Sequence, residues 1–129
     1  MSNTIDSQKV QLVEEMLQIW ENLEFDKATA LFAEDGVLHS VMQDPHVGRS
    51  AIAKRMDTHT INITEMKFCD RTIGVIDGRV FVQRVDNFIF QGNRITIPVV
   101  GVFSIEHGLI TEWLEYYDRE TIMSAKNPG

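Results

Sequence analysis

Three tight turns divide the second half of the chain into four strand-like segments. The segments are rich in β-branched and aromatic residues and run from Glu65 to Ile76, Val80 to Phe90, Arg94 to Ile105 and Leu109 to Asp118. The turns are Asp77-Gly78, Gln91-Gly92-Asn93 and Glu106-His107-Gly108. Connections this short join antiparallel neighbours, so this part of the chain predicts a long antiparallel meander.

Helical patterns come before the meander. From Asp6 to about Glu24, apolar residues recur three and four apart, which is the stripe of an amphipathic helix. Shorter helices are predicted from Asp26 to about Phe32, where Gly36 would end the segment, and from Ser50 to His59, with a strand from Val37 to Met42 between them. The pattern predicts one α+β domain over residues 1–129, in which helices cover one face of a curved antiparallel sheet and enclose a cone-shaped pocket. A final helical turn from Arg119 to Ala125 and a loose tail over residues 126–129 complete the expectation.

Composition excludes several classes of partner. The net charge is −7 and there is no cluster of Lys or Arg, which argues against nucleic acid and anionic membrane as partners. Cys69 is the single cysteine and the four histidines are scattered, so we expect neither a disulfide nor a metal site. Because no apolar stretch suits a signal sequence or a membrane span, we expect a cytoplasmic protein.

Two charged residues lie in an otherwise apolar row of the second strand. Arg84 and Asp86 are two apart, so they share a face with Val80, Val82, Phe88 and Phe90. A charge in such a row must be paired, or it destabilises the fold by several kcal/mol. The pair is either a structural ion pair or part of a functional site.

A further carboxylate closes the last strand. Regular alternation puts Ile110, Glu112, Leu114, Tyr116 and Asp118 on one face, and Leu109, Thr111, Trp113, Glu115 and Tyr117 on the other. If the first row faces the pocket, Arg84 could lie between Asp86 and Asp118. Two neighbouring carboxylates have divergent pKa values, so that one acts as an acid and the other as a base. The alternative is that Asp118 caps the helical turn that begins at Arg119.

These segments resemble a known family. The resemblance rests on Arg84-Val85-Asp86, on Gly101-Val102-Phe103 and on the stretch from Gly108 to Asp118, and it extends to Phe32-Ala33-Glu34-Asp35 and Gly48-Arg49. Together they are similar to the limonene-1,2-epoxide hydrolase family of the NTF2-like (SnoaL-like) superfamily. The resemblance implies a homodimer and a cofactor-independent enzyme that opens a small apolar epoxide in one step.

The resemblance also implies roles for individual residues. Asp118 would deprotonate the water, Asp86 would protonate the epoxide oxygen, and Arg84 would orient both carboxylates. Leu38 and Ser40 stand where the family has a tyrosine and an asparagine that help to hold the water, so the water site is expected to be weakened or rebuilt. The remaining expected pocket residues are Phe88, Leu114 and Tyr116.

Two other functions fit the same residues. An isomerase or cyclase of the same superfamily would use a pocket carboxylate to move a proton next to a carbonyl and would need no held water. A non-catalytic ligand-binding module would retain Arg84 and Asp86 as a buried ion pair. In each case the outer face of the sheet, expected to carry Phe81, Val85, Ile89 and Trp113, needs a cover that a second copy could provide.

Overall fold

Three α-helices and six strands make up the fold over residues 2–126. A computed structural model describes residues 2–126. The elements are α1 (Ser2–Glu21), β1 (Phe32–Ser40), β2 (His46–Val47), α2 (Arg49–Thr60), β3 (Ile63–Ile76), β4 (Arg79–Phe90), β5 (Asn93–Glu106), β6 (Leu109–Tyr116) and α3 (Arg119–Lys126). Lys126 therefore ends a helix, and the rest of the expected loose tail, residues 127–129, lies outside the described residues. No helix within residues 2–126 is long and apolar enough to cross a membrane.

The predicted meander is confirmed. The sheet order is β2-β1-β6-β5-β4-β3, and strands β3 to β6 pair antiparallel with their neighbours in the chain. Both central residues of each hairpin turn have positive φ, as at Asp77 (51°) and Gly78 (77°). That geometry matches the right-handed twist of the flanking strands, which is why an Asp-Gly pair joins them.

The sheet is mixed, whereas the sequence predicted an antiparallel one. β1 pairs parallel with β6, with Leu38 opposite Trp113 and Ser40 opposite Glu115. β2 then pairs antiparallel with β1 at the edge. Parallel neighbours need a long connection, and the whole of α2 and the meander lies between these two strands. The curved α+β fold with N-terminal helices is confirmed in its other features.

The segment before β1 differs from the prediction. Instead of a second helix, two single 3₁₀ turns span Phe25–Lys27 and Thr29–Leu31, and β1 begins at Phe32. Gly36 does not end a helix but lies inside β1, where a Cβ atom would approach the carbonyl oxygens of Ala33 and Ile110 to 3.0 Å. Close approach of two backbones explains the glycine there.

One face of the sheet carries the core. α1 buries Val13, Met16 and Leu17 completely, and Trp113 packs against Phe103 with ring centroids 4.7 Å apart. Trp113 is thus a core residue, and its expected position on the outer face was wrong. Phe81, Val85 and Ile89 are half-buried, and a homodimer that covers them stays a prediction.

Candidate functional site

Arg84, on β4, lies between two carboxylates on the inner face of the sheet. Its Nε donates to Asp86 Oδ1 at 2.7 Å and its Nη2 to Asp86 Oδ2 at 3.2 Å. On the other side, Nη1 donates to Glu115 Oε2 at 3.1 Å, and Nη2 also donates to Glu115 Oε1. Arg84 is 2% exposed and Asp86 8%. Each carboxylate is therefore held by a bidentate, charge-assisted contact, which fixes the orientation of both.

Glu115, and not Asp118, is the second carboxylate beside Arg84. The pairing of β5 with β6 shifts between Ser104 and Ile105, so that Ser104 faces Glu112 and Ile105 faces Ile110. Thr111 is the extra residue of this bulge, and an extra residue reverses the alternation of all that follow. Trp113, Glu115 and Tyr117 consequently face the interior.

Asp118 has a different position and a different role. It is exposed, its Oδ1 accepts from the backbone N–H of Glu120 at 3.2 Å, and its Oδ2 accepts from the Thr121 hydroxyl at 2.7 Å. These are the contacts of a helix N-cap, so Asp118 begins α3. The expectation that Asp118 flanks Arg84 was wrong, and the capping alternative is confirmed.

Gly101 leaves the space in which the three charged groups meet. It lies on β5, opposite Val82 of β4 and Glu115 of β6, so the Arg84 side chain reaches Glu115 across it. A Cβ atom on Gly101 would lie 2.6 Å from Glu115 Oε2 and 2.7 Å from Arg84 Nη1. Any side chain at this position would displace the ion pair.

A cavity of about 340 Å³ adjoins the carboxylates. Asp86 and Glu115 reach it from the sheet, and α2 and α3 close the opposite side. Of the predicted pocket residues, Leu38, Ser40 and Phe88 line it. Leu114 and Tyr116 do not line it, and Tyr116 is 45% exposed, because the bulge turns their row outward.

Burial favours the protonated form of Asp86. Desolvation raises the pKa of Asp86 to about 6, against the lowering effect of Arg84, and the nearby charge of Glu115 raises it further. The pKa of Arg84 is raised by Glu115 and Asp86, which outweigh the cost of burying it, so the guanidinium stays charged. Asp86 therefore keeps its proton up to a higher pH than an ordinary aspartate does.

Tyr117 is a second cavity residue that the sequence did not single out. Its hydroxyl donates to Ser40 Oγ at 3.0 Å. Ser40 is the register partner of Glu115, so the two hydroxyls lie on the same part of the cavity wall as that carboxylate. The sequence prediction missed both Glu115 and Tyr117. Their alternation with Trp113 could have indicated an inward position, because bulky aromatic side chains are mostly found inside.

Three cations line the helical side of the cavity. They are Arg55 on α2 and Arg119 and Lys126 on α3. Burial and the nearby Arg55 and Lys126 lower the pKa of His59, in the same wall, to about 3. Within residues 2–126, no three His, Cys, Asp or Glu side chains come together in an arrangement suited to a metal ion.

Residues 13–113 match the sequence profile of the SnoaL-like domain. The chain belongs to the SnoaL-like domain family. The expected superfamily is thereby confirmed, since the match spans most of the 129 residues. It ends two residues before Glu115, so the family match does not include that carboxylate.

Several solved structures are similar to this SnoaL-like chain. An LEH-like epoxide hydrolase from M. tuberculosis is 26% identical with a TM-score of 0.78, covering 93% of this chain and 90% of that one. A candidate polyketide cyclase from Xanthomonas campestris pv. campestris is 18% identical with a TM-score of 0.85, covering 94% and 98%. A hypothetical protein of ketosteroid isomerase-like fold from Catenulispora acidiphila is 16% identical with a TM-score of 0.77, covering 88% and 90%. The last two show likeness of fold alone.

Proposed function

We propose that this SnoaL-like protein is an epoxide hydrolase in which Glu115, Arg84 and Asp86 form the catalytic triad. The observation that carries the proposal is the single buried arginine that bonds both carboxylates on the wall of one cavity. Epoxide opening needs a base for the attacking water and an acid for the departing oxygen at the same moment. A shared arginine holds the two groups at a constant separation.

The proposed reaction needs no proton donor or acceptor beyond the triad and its water. Glu115 takes a proton from water as the water oxygen forms a bond to an epoxide carbon. The carbon–oxygen bond on that carbon breaks, and the oxygen takes the proton of Asp86, which yields a vicinal diol. The triad begins as Arg⁺, neutral Asp86 and ionised Glu115, and ends with the proton on Glu115 in place of Asp86. Its net charge is zero before and after, which suits a buried site.

The water would be held by groups from two strands. Leu38 offers no hydrogen bond, but the Tyr117 hydroxyl supplies one beside Ser40. A water that contacts Glu115 and this Ser40–Tyr117 pair would have the two or more polar partners that an ordered water needs. The water site would then be formed by Ser40 of β1 and by Tyr117, which directly follows β6. Tyr117 would supply the hydroxyl group that Leu38 lacks.

The comparison that supports this function is the LEH-like epoxide hydrolase, with 26% identity over 93% of the chain. The raised pKa of Asp86 also supports it, since a carboxyl with a pKa of about 6 keeps the proton that it must donate to a higher pH than an ordinary aspartate does.

The test is diol formation from terpene, cycloalkene and styrene oxides. We expect diol product with the wild-type protein and much slower diol formation with Asp86→Asn, because an amide is a far weaker acid than a carboxyl group. A single turnover in ¹⁸O-labelled water should place the label in the diol, because no carboxylate oxygen is transferred in a one-step reaction. The absence of diol from every epoxide at high enzyme concentration would refute the proposal.

An isomerase or cyclase is the second candidate. The observation that favours it is Asp86 itself, because a buried carboxyl with a pKa of about 6 is ionised often enough at neutral pH to act as a base. A steroid or polycyclic enone that is converted without gaining an oxygen atom, together with no diol from the epoxides, would favour this reaction.

A further inference from the structure

The helical side of the cavity carries positive charge that the proposed reaction does not use. We call Arg55, Arg119 and Lys126 the cationic wall. Arg119, Ile122, Met123 and Lys126 all line the cavity from α3, and their spacing puts them on one face of that helix. Arg55 faces them from α2. The cationic wall thus belongs to the same space as Asp86 and Glu115, but to different elements of the fold.

The side chains of the cationic wall are directed at the cavity by local contacts. Lys126 Nζ lies 4.4 Å from the ring centroid of Phe90, which is itself a lining residue. Arg55 Nη1 contacts His59 Nδ1, and His59 is neutral because its pKa is lowered to about 3. A neutral imidazole can accept the bond from the guanidinium and hold Arg55 in place without balancing its charge.

Within the described part of the chain, residues 2–126, no carboxylate neutralises the cationic wall. Among residues 2–126, Arg55, Arg119 and Lys126 form no ion pair, and the two acids that line the cavity are both bound to Arg84. Burial, Arg55 and Arg119 lower the pKa of Lys126, and burial lowers that of Arg55. Three unpaired cations around one cavity are unexpected in a chain of net charge −7. A neutral ligand would leave all three cations unpaired, and Arg55 and Lys126 partly desolvated.

We propose that the ligand of this cavity is an anionic amphiphile, whose acidic head contacts Arg55, Arg119 and Lys126 while its apolar body fills the space toward Asp86 and Glu115. The head is a carboxylate or a phosphate monoester, since both pair with this set of donors. The apolar lining between the two ends includes Met56, Met66, Phe88 and Ile97. That the body carries an epoxide rests on the proposed function, whereas the acidic head follows from the cationic wall alone.

Binding can be measured without turnover. The chain has two tryptophans, Trp20 and Trp113, and both line the cavity, so their fluorescence reports its occupancy. The ligands are octanoate, octyl phosphate, octanol and octylamine, which share a chain and differ in the head. We expect the tighter-binding anion to bind at least about tenfold more tightly than octanol, with octylamine the weakest, and added salt to remove the difference. Tighter octanoate assigns a carboxylate head, and tighter octyl phosphate a phosphate head.

Matched variants locate the effect. Lys126→Gln and Arg119→Gln should each weaken anion binding about two- to fivefold and leave octanol unchanged. Lys126→Arg keeps the positive charge, so this variant should bind the anions about as tightly as the wild type does. Lys54→Gln is the control, because Lys54 is exposed, precedes Arg55 in the chain and does not line the cavity. Thermal unfolding of every variant checks that the fold is intact.

Two results would overturn the inference: octanol that binds as tightly as both anions, or anion binding that Lys54→Gln weakens as much as Lys126→Gln does. The experiments also distinguish a failure of this inference from a failure of the proposed function. If the anions bind selectively and no epoxide yields a diol, the anionic ligand stands and the hydrolase falls. If neutral and carboxylated epoxides are hydrolysed equally well, and Lys126→Gln affects neither, the hydrolase stands and the anionic ligand falls.

Discussion

Glu115 and Asp118 lie three positions apart in the chain and have opposite environments. Glu115 has a side chain 14% exposed and bonds Arg84 on the cavity wall. Asp118 is exposed and caps α3. Both are acids near the end of β6, so residue type does not separate them. The bulge at Thr111 does, because it decides which row of β6 faces inward.

The largest effect should come from Glu115→Gln. The glutamine side chain has the shape of the glutamate side chain, but its amide cannot accept a proton from water. We therefore expect turnover of an epoxide to fall by about 10²- to 10⁴-fold. Asp118→Asn is the matched control and should change turnover by less than about twofold, because an asparagine caps a helix as well as an aspartate does. Steady-state rates of diol formation test both. Equal losses in the two variants would remove the distinction between the carboxylates.

Arg84→Met should be the most destabilising single change. It leaves two carboxyl groups buried without their cation, and breaking a buried pair in this way lowers the unfolding free energy by about 3–5 kcal/mol. Urea denaturation measures the loss. Arg94→Met is the control, since the Arg94–Glu65 pair has side chains 50% and 37% exposed and should contribute less than about 1 kcal/mol. A loss below 1 kcal/mol for Arg84→Met would contradict the buried triad.

The pH dependence of stability and of turnover should follow the titration of Asp86. Because burial raises the pKa of Asp86 from 3.8 to about 6, the folded protein binds more protons than the unfolded chain between these values. The unfolding free energy should therefore fall as pH rises through this window, by at most about 3 kcal/mol. Turnover should also fall above pH 6 as the acid loses its proton.

The check is urea denaturation at several pH values, with Asp86→Asn measured alongside. Asp86→Asn should flatten the stability profile, because the amide does not titrate. A profile that Asp86→Asn does not change would show that another group titrates there.

Gly101→Ala should separate Glu115 from Arg84. The added methyl group would lie 2.6 Å from Glu115 Oε2, and such overpacking lowers stability by about 1–3 kcal/mol. Turnover should fall with it, because the orientation of the base changes. Gly74→Ala on β3 is the control, since nothing lies within 4 Å of its Cβ position. If both variants unfold at the same urea concentration, the close approach at Gly101 is without consequence.

Asp118→Ala should have the smallest effect. Loss of a helix N-cap lowers stability by about 1 kcal/mol, and α3 is the element that should loosen. Turnover of a neutral epoxide should stay within about twofold of the wild type. Hydrogen exchange of the α3 amides measures the first effect and diol formation the second. Unchanged exchange in α3 would count against the cap.

Much of the fold could be predicted from local pattern. The turns at Asp77-Gly78, Gln91-Gly92 and His107-Gly108 join strands because their residues adopt positive φ easily. Arg84 and Asp86 share the inner face of β4, as the two-residue period requires. The segment from Asp26 to about Phe32 was predicted as a helix, but 3₁₀ turns over Phe25–Lys27 and Thr29–Leu31 carry the chain into β1. The local composition of this segment does not distinguish an α-helix from 3₁₀ turns.

The sequence by itself determined the meander, its turns and the buried pair of Arg84 and Asp86, because these depend on neighbours in the chain. Only the tertiary structure decided the partner of that pair. The bulge at Thr111 arises from the pairing of β6 with β5, and the place of Ser40 beside Glu115 arises from the parallel pairing of β1 with β6. Both are contacts between distant segments, and a two-residue period read along one strand contains no information about them.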